Sequence, residues 1–297
     1  MLRDLSNEEI KALHHELLLK DILAVAERLP PFPDVAWKVI PLIRRMAPVQ
    51  EIEAVIRYDQ AITARVLALS QSAYYGRKQS AATLKEAVLI LGAQRLVQVI
   101  LVACAARYFQ GRDPGCDVEE RKLWEHSVAT ALTAEILARR LSHRKVLAVY
   151  TASLLHDIGK TVLDLYAKMY LHTSLRRMRG KGAGFLEAER NALGIDHQEL
   201  GVMIARRWKF PPEVVAAIGH HHCPLKAPSD LDIASIVYAA NRMTHLRTSD
   251  EDTVELKQLE SDPVFIGLGL SGNAIEDIEV AAREAMKEVV SFLTSPW

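Results

Sequence analysis

Residues 152–160 read ASLLHDIGK, an apolar run that leads directly into a histidine–aspartate pair, a glycine and a lysine. On both sides of this stretch Leu, Ala, Ile and Val recur three and four residues apart, which is the spacing of helices with one buried face. Alternating apolar and polar runs bounded by turn residues, the pattern of β-strands, are hard to find. The sequence therefore predicts an all-α fold, with a helix over residues 144–158 that carries His156 and Asp157 at its end.

Two stretches rich in helix breakers divide the remaining predicted helices into groups. The first is LPPFP at residues 29–33, whose prolines end a first helix over residues 5–27. The second is GRDPGCD at residues 111–117, which is a candidate linker. We therefore expect a two-lobed helical bundle. Its predicted parts are an N-terminal helix at 1–28, a first helical lobe at 29–114, a second lobe at 115–246, and a C-terminal extension at 247–297 with a closing helix.

Amphipathic patterns mark the two terminal helices of this arrangement. In the first helix, Leu13, Leu17 and Val25 fall near one face. The closing helix, over about residues 274–293, places Ile275, Ile278, Met286 and Val289 on its apolar side. Both helices are therefore expected to pack against the rest of the chain.

The composition restricts the classes of partner. Lys plus Arg and Asp plus Glu are equal at 37 each, so the 297-residue chain has no overall positive field to attract nucleic acid. The three cysteines are widely scattered and show no metal-binding or redox spacing, which favours a reducing compartment. The most apolar stretch, 97–106, is shorter than the roughly 20 residues of a membrane-spanning helix. We expect a cytoplasmic protein with neither a nucleic acid nor a membrane as its partner.

Histidines are concentrated in the second half of the chain, where eight of the eleven lie between residues 126 and 222. An imidazole beside a carboxylate, as in His156-Asp157, offers donors suited to Fe, Mn, Zn or similar divalent ions. Other donors would have to come from other helices, and one or two ions could be held. Two alternatives stay open: the pair could only cap its helix, and residues 220–222 could lie at a frayed helix end. The further candidate ligands are His126, His197, His221 and His222.

Several motifs, in order and spacing over about residues 25–245, resemble the HDOD family of signalling domains. The second half is in turn similar to HD-domain phosphohydrolases, in which histidines and aspartates hold a metal ion that activates water against a phosphoester. The resemblance thus implies an HD-like second lobe with a divalent metal: Fe, Mn, Zn or Mg. The motifs are LPPFP at 29–33, SAYYG at 72–76, AVLILG at 87–92, WEHS at 124–127, LLHDIGK at 154–160 and DHQELG at 196–201, followed by Trp208 and Pro211.

The resemblance assigns ligand roles to individual positions. His126, His156 and Asp157 match the first three HD ligands, and Asn241 stands where the family has its last aspartate. His197, His221 and His222 resemble the additional histidines of HD-GYP phosphodiesterases. The loop after His222 lacks the HD-GYP sequence, so we do not expect hydrolysis of cyclic dinucleotides. Lys160 could face a phosphate group, or it could complement a helix dipole.

The resemblance implies a bacterial regulatory protein, which we expect to act through contacts with a separate signalling partner and to keep a metal site. A carboxamide in place of the last carboxylate removes one negative charge, which weakens metal attraction and makes hydrolysis poor or absent. The alternative is a metal-dependent phosphohydrolase acting on a nucleotide or another phosphoester, and a small phosphorylated ligand is a further candidate partner. A helical scaffold without any metal is the third interpretation.

Overall fold

The computed structural model describes residues 7–70, 81, 83–109, 118–164, 166, 184–246 and 257–293. Within these ranges the backbone forms helices, turns and loops, and no strand is present. The prediction of an all-α fold is confirmed.

The first group of helices surrounds one long apolar helix, α5. Helices α2, α3 and α4 all pack against α5, whose buried side chains form the core of this group. The bounds are α1 Asn7–Arg28, α2 Asp34–Arg44, α3 Val49–Ile56, α4 Gln60–Ser70 and α5 Leu84–Phe109.

Helix α5 is interrupted at Gly92, where the backbone leaves the helical region with φ +69° and ψ 171°. An L-residue with a side chain rarely adopts this conformation, so glycine is required there. The interruption divides α5 into two helical segments, one on each side of Gly92.

The second group is arranged around α6, which packs against α7 and α11. Helix α7 ends at Leu155, three residues earlier than predicted, because residues 156–159 form a turn before helical backbone resumes at 160–164. A short 3₁₀ turn, Pro224–Lys226, follows α10. The bounds are α6 Val118–Arg140, α7 Val146–Leu155, α8 Phe185–Leu193, α9 His197–Arg207, α10 Pro212–His220 and α11 Leu231–Leu246.

The C-terminal helices are α12, Pro263–Gly267, and α13, Gly272–Leu293. Helix α12 was not predicted, although its start carries a local signal: the side chain of Asp262 accepts a hydrogen bond from the Val264 N–H. Helix α13 packs against α6 and buries Ile275 and Ile278, as its pattern predicts. The C-terminal helix therefore supports the helix at the centre of the second group.

Helix α1 packs against the second group of helices, near α8 and α9. It does so through Leu18, Ile22 and Ala26, which are spaced four residues apart and buried. The face suggested by the sequence is wrong at two positions, since Leu13 and Leu17 are 41% and 56% exposed. The sequence of α1 contains two apolar stripes, and contact with α8 and α9 determines which of them is buried.

A cluster of aromatic side chains joins the proline-rich segment to the second group. The Phe32 ring lies 5.5 Å from that of Trp208 and 5.1 Å from that of Phe210, measured between centroids. The Trp208 Nε1–H donates to the carbonyl of Pro30 at 3.1 Å, and the Tyr108 hydroxyl donates to the carbonyl of Pro31 at 2.8 Å. The segment at 29–33 is thus a fixed connection between the two groups.

The proposed lobe boundary near residue 115 and the motif at 72–76 lie outside the described residues. The division into lobes therefore stays a prediction. By length and composition, α5 alone among the described helices could cross a membrane, but 67% of its most apolar window is buried inside the protein. Helix α5 is therefore a helix of the protein core.

Candidate metal centre

His156 and Asp157 lie in the turn after α7 and are almost completely buried, at 0% and 1% exposed. This turn is pressed against the start of α9. A Cβ atom at position 159 would overlap the carbonyl oxygen of His197 and lie 3.0 Å from the backbone nitrogen of Gly201. Only glycine at position 159 allows the turn and α9 to come so close, and this approach brings Asp157 to His197.

Three of the imidazoles are oriented by hydrogen bonds from their Nδ1 atoms. His156 Nδ1–H donates to the carbonyl of Ser153 at 2.7 Å, and His221 Nδ1–H donates to that of Ile218 at 2.8 Å. His197 Nδ1 is 2.6 Å from the Oε2 atom of Glu189. Because Nδ1 carries the proton in each ring, the Nε2 lone pairs are left to face the interior.

These Nε2 atoms converge on the carboxylate of Asp157. Its Oδ2 atom lies 3.3 Å from His156 Nε2 and 3.8 Å from His126 Nε2. Its Oδ1 atom lies 3.4 Å from His197 Nε2 and 3.5 Å from His221 Nε2. The carboxylate therefore stands between two sets of nitrogen donors and is shared by both.

The donors on the Oδ1 side are also close to one another. His197 Nε2 is 3.3 Å from His221 Nε2 and 3.1 Å from His222 Nε2. Two neutral imidazoles whose Nδ1 atoms are both protonated would direct lone pairs at each other across such a distance. A cation among them removes this repulsion, so the arrangement fits a bound metal ion.

A second observation supports the same fit. His126 Nε2, His156 Nε2, Asp157 Oδ1 and Asn241 Oδ1 are buried and lack a hydrogen-bond partner. Buried polar atoms without partners are costly, and an unseen ion is one of the accepted explanations. The potential ligand atoms form two sets, and within each set they lie within 4.8 Å of one another. The first set is His126, His156 and Asp157, and the second is Asp157, His197, His221 and His222.

Burial keeps four histidines of this cluster neutral. It lowers the pKa values of His126, His197 and His221 to about 3, and that of His222 to about 2. Metal ligation requires neutral imidazole, so these rings are ready to bind at neutral pH.

The carboxylate of Asp157 is kept charged. Burial on its own raises the pKa of Asp157, but the neighbouring His156 and His221 rings and the charged Lys160 outweigh burial and hold the pKa well below its usual range. A negative charge is therefore present where the nitrogen donors meet.

Lys160 lies against the cluster. Its Nζ atom donates to Asp157 Oδ2 at 2.7 Å and stands 5.6 Å from the centre of the Phe185 ring. The lysine thus neutralises the carboxylate, which is a role that neither the phosphate nor the dipole interpretation described. Phosphate binding by Lys160 stays a prediction.

Asn241 is buried on α11, four residues before His245. The His245 ring lies 4.5 Å from the ring of His126, and residues four apart share a helix face. Asn241 is therefore on the side of α11 that faces His126. Helix α11 therefore contributes a neutral carboxamide oxygen to the site and no carboxylate from this position.

Two members of the site were missed in the sequence. Glu189, on α8, receives hydrogen bonds from both the backbone N–H and Nδ1 of His197, and His245 packs on His126. No local pattern singles out Glu189, because it approaches His197 from a different helix. The alternative of a frayed end at 220–222 is wrong for His221, which is fully buried.

Comparisons with known proteins bear on this geometry. The model of the HDOD domain matches residues 29–224. A protein of Treponema pallidum (strain Nichols) that is described as uncharacterized is 26% identical over 225 residues, which are 73% of this chain and 43% of the relative. Ribonuclease Y of Thermus thermophilus is 34% identical over 123 residues, 41% of this chain and 16% of the enzyme. The chain spans less than half the length of these curated relatives.

Solved structures show the same fold. An HDOD domain protein of unknown function from Geobacter sulfurreducens superposes with a TM-score of 0.77 at 23% identity, covering 96% of this chain and 100% of that one. A candidate phosphohydrolase from Shewanella amazonensis SB2B superposes with a TM-score of 0.69 at 22% identity, covering 90% and 97%. At these identities the likeness establishes the fold and nothing more.

Proposed function

Because the chain belongs to the HDOD domain family, we propose that it is a bacterial signal-transduction module that holds a divalent metal ion in its second group of helices. The observation that carries the proposal is the convergence of buried imidazole Nε2 atoms on Asp157, with His197 and His221 only 3.3 Å apart. His126, His156, Asp157, His197, His221 and His222 would hold the ion or ions, with Asn241 as an oxygen donor. Bound there, a divalent ion supplies Lewis acidity to a nearby ligand.

Regulation is favoured over turnover by the surroundings of Asp157. Asn241 supplies no negative charge and no base, and Lys160 already occupies one side of the carboxylate. The near-complete burial of His156, Asp157, His197 and His221 also limits the access of a bulky substrate. We propose that the metal stabilises the second group of helices or senses a small phosphorylated ligand, while a separate signalling protein is the partner.

The metal content of the purified protein tests this proposal. Wild-type protein prepared without chelator should contain a stoichiometric transition metal by elemental analysis, and His156→Ala and Asp157→Ala should lose it. His143→Ala is the matched control, since His143 pairs with Asp232 away from the cluster. Metal-free wild type, or variants that retain the metal, would contradict the proposal.

A metal-dependent phosphohydrolase is the second candidate. One observation favours it: each oxygen of Asp157 faces its own set of nitrogen donors, and paired ions are common in phosphoester hydrolysis. The Thermus relative is named a ribonuclease and the Shewanella relative a candidate phosphohydrolase, so RNA belongs among the substrates tested.

A panel of nucleotides, RNA and simple phosphoesters with Mn²⁺, Fe²⁺, Zn²⁺ or Mg²⁺ separates the two candidates. The regulatory proposal expects no turnover above a metal-only blank. Turnover that disappears in His156→Ala but persists in His143→Ala would establish the enzyme instead.

We place the protein in the cytoplasm, without a nucleic acid or membrane partner, on the support of its balanced charge and the burial of α5.

A further inference from the structure

The imidazoles of the metal centre differ in how firmly the protein holds them. The rings of His156, His197 and His221 are completely buried, and the Nδ1 atom of each is bonded to a carbonyl or carboxylate oxygen. A bond of this kind at the second ring nitrogen fixes the orientation of a metal-binding histidine and increases its basicity. These three rings are therefore anchored in the orientation that ligation requires.

His222 is held differently. Among the described residues its ring makes one hydrogen-bond contact, between Nε2 and His197 Nε2 at 3.1 Å, and no oxygen is bonded to its Nδ1 atom. His222 is partly exposed, lies in the turn after α10, and precedes the exposed Cys223. Its ring packs only on other imidazoles within the described ranges, at 4.3 Å from His221 and 5.1 Å from His197 between centroids. The His222 ring is thus the most weakly held donor on its side of Asp157.

His126, on the other side of Asp157, has no anchored Nδ1 atom in the described part of the chain either. Its backbone, however, belongs to helix α6, and its ring packs on those of His156 and His245 at 5.3 Å and 4.5 Å. A donor within a helix has less freedom to move away than a donor in a turn. The argument for movement therefore applies to His222.

The donors that remain without His222 form a set of three. His197 Nε2 and His221 Nε2 lie 3.4 Å and 3.5 Å from Oδ1 of Asp157. Four protein ligands are typical of a closed, structural zinc site, whereas three ligands and one exchangeable position are typical of a site that binds an external molecule. The position of the His222 ring therefore distinguishes a closed site from an open one.

The charges bonded to the donors indicate which kind of molecule fits the open site. Lys160 donates to Asp157 at 2.7 Å, so these two charges offset each other. Glu189, which is bonded to His197, adds at most one further negative charge, and Asn241 adds none. The two positive charges of a divalent ion would therefore face at most one unpaired negative charge. An anion supplies the missing compensation, since buried charge is stabilised by an opposite charge.

We propose that His222 is a releasable ligand, whose ring leaves the centre when the phosphate group of an external ligand enters and places an oxygen beside His197 and His221. Complete burial of the anchored rings restricts the entering group to a small one. The inference rests on the proposed metal site. It identifies His222 as the residue through which that site receives a small phosphorylated ligand.

Metal affinity tests the difference in anchoring. His222→Ala should weaken Co²⁺ binding about 10–100-fold less than His221→Ala does, because an anchoring bond contributes about that factor to ligation by a histidine. Competition with a chromogenic chelator measures both affinities, and urea unfolding in chelator checks that each variant folds. If His221→Ala does not fold, His221→Gln fills more of the buried space and takes its place. Equal losses in the His222 and His221 variants would overturn the proposal.

Histidine ¹⁵N NMR of the Zn²⁺-loaded full chain tests the release itself, with inorganic phosphate as the probe and sodium chloride at matched ionic strength as the control. Phosphate up to about 10 mM should move the Nε2 signal of His222 to that of a free imidazole and leave the signals of His197 and His221 in place. The His222 signal is assigned by its absence in His222→Gln. Elemental analysis after the titration checks that the zinc is retained.

The outcomes separate the release of His222 from the metal site on which it depends. Wild-type protein that binds neither Co²⁺ nor Zn²⁺ contradicts the proposed site, and the releasable ligand with it. Zinc-loaded protein in which phosphate leaves the His222 signal unmoved, or shifts the three signals together, overturns the release alone.

Discussion

Glu189 and Asn241 are the two side chains on which the properties of the metal centre depend most directly. Glu189 orients His197 by accepting from its ring and backbone, so it acts through a ligand and is a positioning residue. Burial raises the pKa of Glu189 to about 7, which marks the cost of keeping this carboxylate inside. Asn241 offers a neutral oxygen where a carboxylate would add charge.

Glu189→Gln should weaken metal binding by about 10–100-fold, because the amide cannot increase the basicity of His197 as a carboxylate does. Competition with a chromogenic chelator measures the change. Glu187→Gln, at an exposed position of the same helix, is the control and should bind metal as wild type does. Equal affinities for both variants would show that Glu189 has no part in ligation.

Asn241→Asp should change the free energy of unfolding in opposite directions with and without metal. The new buried charge should destabilise the metal-free protein by about 1–3 kcal/mol and stabilise the metal-loaded protein. Urea unfolding in chelator and in excess Mn²⁺ measures both values. A shift of the same sign in both conditions would place Asn241 away from the ion.

The contact between the turn at 156–159 and helix α9 is what brings the two sets of ligands together. It depends on the absence of a side chain at Gly159, which leaves room for the backbone of His197 and Gly201. Helices α7 and α9 could each form without this contact, but Asp157 would then lie further from His197.

Gly159→Ala should destabilise the protein by about 3 kcal/mol or more and lower its metal content, since backbone atoms cannot move aside as a flexible side chain can. Urea unfolding and elemental analysis give the two readouts. Gly267→Ala is the matched control: its Cβ meets nothing within 4 Å, and we expect a change within about 0.5 kcal/mol. Similar effects of the two substitutions would contradict the role given to the close approach.

The two groups of helices are held together by α5 against α6 and α7, and by the aromatic cluster around Phe32. Arg207 adds a hydrogen bond to the carbonyl of Ala26 at 3.1 Å, so α1 is fixed to the same side. A cavity of about 470 Å³ beside Gly92, between α5 and α6, lies within this junction. Signals that pass between the groups would have to change these contacts.

Trp208→Ala should cost about 3–5 kcal/mol of stability, because a large buried ring leaves a cavity among Phe32, Tyr108 and Phe210. Trp208→Phe should cost less, since the packing is mostly kept while the hydrogen bond to Pro30 is lost. Urea unfolding measures both. If the two variants are equally destabilised, the hydrogen bond rather than the packing holds the junction.

Local patterns were sufficient for the helices and for most of the candidate ligands. Apolar spacing predicts α-helices because burial of one face repeats every turn, and the proline and glycine clusters mark where helices end. The motif at 154–160 places His156 and Asp157 at the end of α7, because a buried helix end and a polar pair are adjacent in the chain.

Contacts between residues far apart in the chain determined the rest. They selected the buried face of α1, supplied Glu189 to His197 from another helix, and opened the cavity between α5 and α6. No local periodicity encodes these features, because each depends on the distance between two helices after packing. The imidazoles could be found in the sequence, whereas the direction in which their Nε2 atoms point was decided by the folded chain.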